Sequence, residues 1–187
     1  MDPTADIQNT GGRPYREADA CTDFDILQYL PEKVGEEEMP VSTKGAMKQI
    51  KAYIAARGFC YPEELIENFF LSLKSKPFVI LAGVSGTGKT RLVRLFAQAI
   101  GAECKLVPVR PDWSDGSDLF GHFDLGGNFI KGPVCECFEM AYAKPNKPVF
   151  LCLDEMNLAR VEYYLSDFLS VLETREKQED GTITTEK

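Results

Sequence analysis

The sequence lacks any apolar run long enough to cross a membrane, since a spanning helix needs about 18 or more consecutive apolar residues. Its first thirty residues are also too acidic for a secretory or transit signal. We therefore expect a cytoplasmic protein with no membrane span.

Side chains that commonly bind zinc are scarce. The chain has one histidine, His122, and six cysteines, of which only Cys135 and Cys137 lie close together. A structural zinc site normally needs four ligands, so this pair favours packing in the core over metal binding. His122 has no carboxylate partner identifiable from the sequence, which favours a loop residue over a ligand or a base.

Positive charge is in deficit, with a formal net charge of −8. A surface that reads nucleic acid needs clustered Lys and Arg to contact phosphates. The balance argues against such a surface spread over this chain. We expect DNA to be contacted, if at all, through other segments or partner subunits.

The chain reads as three consecutive regions. Residues 1–44 are polar, acidic and interrupted by glycine and proline, which predicts a flexible tail or linker. The apolar cluster at 24–30 within it is either a docking segment or a strip packed on the main domain. Residues 45–76 predict two lead-in helices, and residues 77–187 predict the core domain.

The lead-in helices show helical spacing of apolar residues. The first begins near Lys44 and is followed by Gly58, which suits the position after a helix end. The second begins at Pro62, a favoured first helical residue. Its predicted apolar face comprises Leu65, Phe69 and Leu73.

Strand and helix patterns alternate through the core domain. The continuous apolar run 77–82 predicts a parallel strand covered on both faces. Further elements are predicted as a helix at 91–100, a strand at 105–109, a hairpin at 123–130, a helix at 133–143, a strand at 149–153 and a helix at 158–173. This alternation implies an α/β sandwich of three layers with a parallel sheet.

The string GVSGTGKT at residues 83–90 matches GxxxxGK[ST] at every specified position. Its glycines permit a tight turn with inward N–H groups, and the following helix N-terminus attracts an anion. Lys89 adds charge near the β- and γ-phosphates, and Thr90 offers a hydroxyl to Mg²⁺. A glycine loop without a ligand is the alternative. The residues expected to bind nucleotide are Gly83, Val84, Ser85, Gly86, Thr87, Gly88, Lys89, Thr90 and Arg91.

A second motif follows the apolar run VFLCL, where Asp154 and Glu155 stand at the carboxyl end of a predicted strand. Ligands gather at this end of strands in open parallel sheets. Asp154 is expected to hold Mg²⁺ through its water shell, and Glu155 to orient and deprotonate the attacking water. The two motifs together predict a P-loop nucleoside-triphosphatase fold preceded by two helices and a flexible acidic tail.

At this point the chain resembles the AAA+ ATPases, and within them the McrB-like proteins, the GTP-hydrolysing subunits of methylcytosine-dependent restriction systems. The resemblance rests on FVILAGVSGTGKTRLV, VRPDWSDGSDLFG and LDEMNLARVEYYLSDFLSVLETR. It implies that residues 83–90 form the Walker A loop and that Asp154 and Glu155 are the Walker B acids. It also implies a ring, expected to be a hexamer, in which a neighbour's arginine completes each site, and a nuclease partner subunit.

The chain also departs from this family. Too few residues follow Glu155 for the sensor 1 strand, the arginine finger and the helical lid of the family, and too few precede Lys44 for a DNA-binding domain. We therefore expect a C-terminally incomplete core, from a fragment or a degenerate copy, that hydrolyses nucleotide poorly alone. ATP is the default nucleotide of the family, and GTP is implied by the McrB-like branch.

Other polar residues keep two interpretations each. The loop after the second core strand holds Asp112, Trp113, Asp115 and Asp118, which either approach the nucleotide or pore or cap local turns. Asn157 either approaches the γ-phosphate or, as we favour, caps a helix. Arg160 and Arg175 either face a neighbouring subunit or are solvated helix residues.

Three functions follow from these features. The first is an NTP-driven ring motor in a defence or remodelling complex. The second is a nucleotide-sensing scaffold that has lost hydrolysis. The third, a small kinase, is disfavoured because the acid pair suits attack by water rather than transfer to an acceptor.

Overall fold

The computed structural model describes residues 42–178 and 183–185. Residues 1–41 of the predicted tail, with the apolar cluster at 24–30, lie outside the described residues. The chain divides into two compact units, Met1–Ala102 and Glu103–Lys187.

The first unit contains three helices: α1 (Thr43–Ala56), α2 (Glu63–Ser75) and α3 (Lys89–Ala99). The side chain of Ser42 caps α1 by accepting a hydrogen bond from the Gly45 N–H at 3.1 Å. Helix α1 packs against both α2 and α3. The largest fully buried side chains of the unit are Ile50, Ile54, Phe70, Leu92, Phe96 and Ile100.

The predicted apolar face of α2 is partly wrong. Phe69 and Leu73 are buried as expected, but Leu65 is 40% exposed. The buried stripe instead includes Ile66 and Phe70, at i, i+3, i+4 and i+7 spacing with Phe69 and Leu73. Leu65 precedes this stripe by one residue and therefore lies about 100° away around the helix.

The strand predicted at residues 77–82 is also wrong. Nothing in this segment is assigned to a strand, and Ile80 is 61% exposed. A strand requires a hydrogen-bonded backbone partner as well as apolar side chains. None of the strand pairings found in the described residues includes this segment, so the apolar run remains an irregular lead into the glycine loop.

The second unit is built on a parallel pair of strands. Strand β1 (Glu103–Pro108) pairs with β4 (Val149–Asp154), with Glu103 opposite Val149 and Pro108 opposite Asp154. Helix α5 (Pro133–Ala143) crosses between these strands in sequence and packs on β4. The mixed α/β fold with a parallel sheet, consistent with a P-loop nucleoside-triphosphatase, is confirmed.

Between β1 and α5 lie a short helix, α4 (Ser117–Phe120), and the predicted hairpin. The hairpin consists of β2 (Gly121–Phe123) and β3 (Phe129–Lys131), paired antiparallel. Asp124 shapes its turn, because Oδ1 accepts hydrogen bonds of 2.8 Å from the N–H groups of both Gly126 and Asn128. The hairpin is confirmed, whereas α4 is not predicted by the sequence pattern.

The single helix predicted at 158–173 is broken. A 3₁₀ turn at Met156–Leu158 precedes α6 (Val161–Tyr164) and α7 (Ser166–Glu173). The break falls where the Ser166 hydroxyl donates to the Tyr163 carbonyl at 3.4 Å, a local bond of the kind that competes with regular helix hydrogen bonding. Beyond α7, β5 (Arg175–Lys177) pairs antiparallel with β6 (Ile183–Thr185), which the polar C-terminal sequence does not predict.

Across the described part of the chain, the helices are all too short or too polar to span a bilayer.

Candidate functional site

The glycine loop of the first unit turns directly into α3. Gly86 and Gly88 adopt φ angles of +82° and +83°, a left-handed conformation that side chains disfavour. Helix α3 begins at the next residue, Lys89, and its first hydrogen bond joins the Leu92 N–H to the Gly88 carbonyl at 2.8 Å. The loop therefore lies at a helix N-terminus, where N–H groups without intrahelical partners favour an anion.

The Lys89 side chain folds back over this loop. Its Nζ donates hydrogen bonds to the carbonyls of Gly83 at 3.0 Å and Val84 at 2.9 Å. The Thr87 hydroxyl also donates to the Val84 carbonyl, at 2.9 Å. The positive charge is thus held at the loop and not on the outer face of α3.

Two aromatic residues between α1 and α2 contact the start of α3. The Tyr61 hydroxyl donates to the Gly88 carbonyl at 3.0 Å. The Arg91 guanidinium lies 5.2 Å from the ring centroid of Phe59, within cation–π range. Burial raises the pKa of Tyr61, although the nearby Arg91 charge lowers it in part, so the phenol keeps the proton that it donates.

Tyr61 is a neighbour of the loop that the sequence pattern does not indicate. A Cβ atom at Gly88 would lie 2.8 Å from the Tyr61 hydroxyl oxygen. Gly88 is therefore required for its backbone angle and for this close approach. In the local sequence, the indication of a close approach is the glycine itself, and a glycine does not identify the side chain that approaches it.

The acid pair of the second unit follows β4. Asp154 is the last residue of the strand, and its carbonyl accepts a hydrogen bond from the Val109 N–H at 3.0 Å. Glu155 is exposed and adopts φ 52° and ψ 45°. Within the described residues it alone has a positive φ without being glycine. Such a conformation is uncommon and strained, and it is found at functional sites more often than elsewhere.

Two bonds hold the backbone that follows Glu155. The Leu158 N–H donates to the Glu155 carbonyl at 2.9 Å, and the Tyr164 hydroxyl donates to the Met156 carbonyl, also at 2.9 Å. The Tyr164 ring packs edge-on against Trp113, with 5.3 Å between ring centroids. Trp113 is therefore a buried packing partner in this unit, and Tyr164 is a contact that the sequence did not single out.

The acids of the loop after β1 have local partners. Asp115 accepts from the Ser117 N–H at 2.8 Å. Hydrogen bonds from the Ser117 side chain and, next, from its backbone N–H lower the pKa of Asp115. Asp118 accepts from the Ser114 N–H at 3.3 Å, and Asp112 pairs with Arg110 at 3.2 Å. These contacts support the interpretation of the loop acids as residues that cap local turns.

Several single-residue predictions need correction. Asn157 lies inside the 3₁₀ turn and does not cap a helix, because Arg160 is the residue that precedes α6. Arg175 begins β5 and is not a helix residue. His122 is exposed on β2 rather than in a loop. In each case the boundaries of the helix or strand in the structure differ from the predicted ones.

Cys137 and Cys152 lie in apolar surroundings. Cys137 is buried on α5 while Cys135 is half-buried, and burial raises the pKa of the Cys137 thiol. Burial likewise raises the pKa of Cys152 in β4 to about 11. In residues 42–178 and 183–185 no three Cys, His, Asp or Glu side chains are grouped as metal ligands.

A cavity of about 360 Å³ in the second unit is lined by residues between Lys105 and Glu136, including Trp113 and His122. Its lysines and its arginine are each paired with an acid: Lys105 with Glu136, Arg110 with Asp112, and Lys131 with Glu139. The cavity therefore has little uncompensated positive charge for an anion, and it contains neither the glycine loop nor the acid pair.

The structure thus groups Gly83–Arg91 in the first unit and Asp154 with Glu155 in the second. The Thr90 hydroxyl and the Asp154 carboxylate are hard oxygen donors, which is the ligand chemistry that Mg²⁺ prefers. A glycine loop at a helix N-terminus, with acids at the end of a parallel strand, is typical of P-loop nucleoside-triphosphatases.

Comparison with known families gives the same class. Residues 78–186, more than half of the chain, match the family described as AAA domain (dynein-related subfamily). The protein therefore belongs to the AAA family. This confirms the AAA+ resemblance but does not reach the McrB-like branch, and a search of curated proteins found no match. Membership points to nucleotide binding, with hydrolysis and assembly into rings as general properties of such domains.

Proposed function

We propose that the protein binds a Mg-nucleoside triphosphate through Gly83–Arg91 and hydrolyses it with a water molecule activated by Glu155. The observation that carries the proposal is the glycine loop: Gly86 and Gly88 turn the backbone in the left-handed region immediately before α3. Lys89 lies over the same loop. These features assemble backbone N–H groups, a helix N-terminus and a side-chain cation at one place.

Binding follows from charge complementarity. Backbone N–H groups of the loop and of the first turn of α3 donate to phosphate oxygens, and the helix dipole adds to their attraction. Lys89 exchanges its two carbonyl contacts for the β- and γ-phosphates, since a charged acceptor makes a stronger hydrogen bond than a neutral one. Thr90 and Asp154 would hold Mg²⁺, which when bound neutralises phosphate charge.

Hydrolysis requires a base next to the γ-phosphate. Glu155 leaves the end of β4 on an exposed turn, so its carboxylate is accessible to water. In the proposed mechanism it orients a water molecule and accepts its proton as the water attacks phosphorus. Positioning and charge, more than covalent chemistry, account for catalysis of phosphoryl transfer.

The preferred nucleotide and the assembly are proposed from the family resemblance. ATP is the default nucleotide for an AAA protein, and GTP is the nucleotide if the chain is McrB-like. A ring, expected to be a hexamer, would supply an arginine in trans and transmit hydrolysis to a restriction or remodelling complex. Binding of ATP and GTP measured side by side distinguishes the two nucleotides.

The substitution Glu155→Gln tests the proposed reaction. We expect nucleotide binding to be retained and hydrolysis to fall by at least about a hundredfold, as when a general base is removed. Glu162→Gln is the matched control, because Glu162 is also exposed and lies on the neighbouring helix α6. Phosphate release and calorimetric titration measure the two quantities.

Each outcome separates the candidate functions. Near-normal turnover of the Glu155→Gln variant would mean that another residue activates the water. Tight binding without turnover in the unsubstituted protein would favour the scaffold function. Label transfer to an acceptor other than water would favour the kinase.

A further inference from the structure

The left-handed backbone of Glu155 needs an explanation within the second unit. A residue with a Cβ atom is strained in this region, and such a conformation persists when the surrounding structure holds it. Glu155 is exposed, so packing of its own side chain does not supply that hold. The restraint must therefore act on the backbone on either side of Glu155.

The backbone on both sides is restrained by hydrogen bonds. Before Glu155, the Asp154 carbonyl accepts from the Val109 N–H at 3.0 Å and extends the β1–β4 ladder. After it, the Glu155 carbonyl accepts from the Leu158 N–H within the 3₁₀ turn. The Tyr164 hydroxyl adds a side-chain restraint by donating to the Met156 carbonyl at 2.9 Å.

Tyr164 is itself firmly held. It has no exposed surface, and its ring packs edge-on against Trp113, which is 8% exposed. Burial raises the pKa of Tyr164, so its hydroxyl stays protonated and remains a donor. A buried hydroxyl normally has a hydrogen-bond partner, and for this phenol it is the carbonyl of Met156, the residue that follows Glu155.

We propose that Tyr164 is a positioning residue for Glu155. Its buried hydroxyl fixes the Met156 peptide, and thereby the left-handed turn from which the Glu155 carboxylate leaves β4. This inference rests on the proposed function, in which Glu155 activates water. Tyr164 acts through the backbone and touches no reacting atom.

Adjacent Tyr163 provides a matched control. It is 52% exposed, and its hydroxyl accepts a hydrogen bond from Arg160 at 3.2 Å. Both Tyr→Phe changes remove one oxygen atom and keep the ring. Only Tyr164→Phe removes a bond to the turn that follows Glu155.

The first measurement separates kcat from nucleotide affinity in the full protein. We expect Tyr164→Phe to lower kcat about fivefold to tenfold, the change associated with one buried hydrogen bond. The nucleotide Kd should stay within about twofold, because the phosphate loop is untouched. Tyr163→Phe should change neither quantity.

The second measurement asks whether Tyr164 acts through Glu155. In a Glu155→Gln background, Tyr164→Phe should cause no further loss of the residual single-turnover rate, since the group that it positions is already removed. Hydrogen exchange of the Leu158 amide should also become faster in Tyr164→Phe and stay unchanged in Tyr163→Phe. Trp113→Phe, which keeps the Tyr164 hydroxyl, should lower kcat in the same direction by less.

Two results would overturn the inference. One is unchanged kcat together with unchanged Leu158 exchange in Tyr164→Phe; the other is an undiminished loss in the Glu155→Gln background. A different result would contradict the proposed function: normal turnover of the Glu155→Gln single variant. A damaged Glu155→Gln enzyme beside a normal Tyr164→Phe enzyme therefore refutes only the positioning role.

Discussion

The glycine loop and the acid turn use the same backbone conformation with opposite residue types. In the loop, left-handed positions are occupied by glycines such as Gly86 and Gly88. In the acid turn, the left-handed position is occupied by Glu155. A tyrosine hydroxyl donates to a backbone carbonyl in each, Tyr61 in the first unit and Tyr164 in the second.

The difference in residue type follows from the chemical group that each turn is proposed to present. In the proposed function the loop binds through backbone N–H groups, so side chains can be absent and glycine adopts the turn without steric strain. The acid turn is proposed to act through a carboxylate, which excludes glycine, so the strain must be balanced by surrounding contacts. Conformation alone therefore does not reveal function; the residue type at the strained position does.

Lys89→Ala gives the largest expected effect, because Lys89 is the side-chain cation in a loop that we otherwise propose to bind through its backbone. Removing the side-chain cation that lies over the loop should abolish triphosphate binding. Arg94→Ala is the control, since Arg94 is an exposed cation on the same helix. Calorimetric titration with Mg-ATP and Mg-GTP measures both variants. Unchanged affinity in Lys89→Ala would refute the assignment of the phosphate loop.

Gly88→Ala tests the glycine side of the comparison. The new Cβ would meet the Tyr61 hydroxyl at 2.8 Å and would be strained at φ +83°. We expect nucleotide binding to weaken at least about tenfold and the free energy of unfolding to fall by about 1–3 kcal/mol. Denaturant unfolding and nucleotide titration give the two values.

Gly58→Ala is the control for that prediction. Gly58 also has a left-handed backbone, φ +78°, but a Cβ there would meet nothing within 4 Å. It should therefore lose stability through backbone strain while nucleotide affinity stays unchanged. Equal loss of affinity in both variants would show that the Gly88 effect comes from general destabilisation and not from the loop.

Sequence patterns predicted the parts of the fold that depend on local periodicity. Helix α5 has the predicted bounds, and β1, β4 and α3 differ from prediction by at most two residues at either end. The run 77–82 failed because apolar composition does not specify a backbone partner. The break between α6 and α7 is not marked in the helical periodicity of the apolar residues.

The candidate site shows the same limit. Lys89, Thr90 and the acid pair are indicated by the residue spacing of two sequence motifs, and their roles stay predictions. Tyr61 and Tyr164 are not indicated in this way, since each contacts a carbonyl that no pattern of residue spacing identifies. Side chains that position a motif are therefore harder to predict than the motif itself.

The smallest effect concerns stability at Glu155. At an ordinary helical position alanine is more stable than glycine by up to about 1 kcal/mol. At a left-handed position the order should reverse, because alanine has the Cβ strain and glycine does not. We therefore expect Glu155→Gly to be more stable than Glu155→Ala by up to about 1 kcal/mol, although both should lose hydrolysis.

Glu162 is the reference position for the relative stability of alanine and glycine, because it lies in helix α6 of the same unit. Glu162→Ala should be more stable than Glu162→Gly, so the sign of the difference is opposite at the two glutamates. Urea unfolding measures the stability of the four variants, and alanine is compared with glycine at each position. Both variants at one position lack the carboxylate, so most effects of charge loss cancel in this comparison. If alanine is the more stable residue at both positions, Glu155 is not held in a left-handed turn. The contrast between the acid turn and the glycine loop would then be wrong, and Tyr164 would have no strained backbone to restrain.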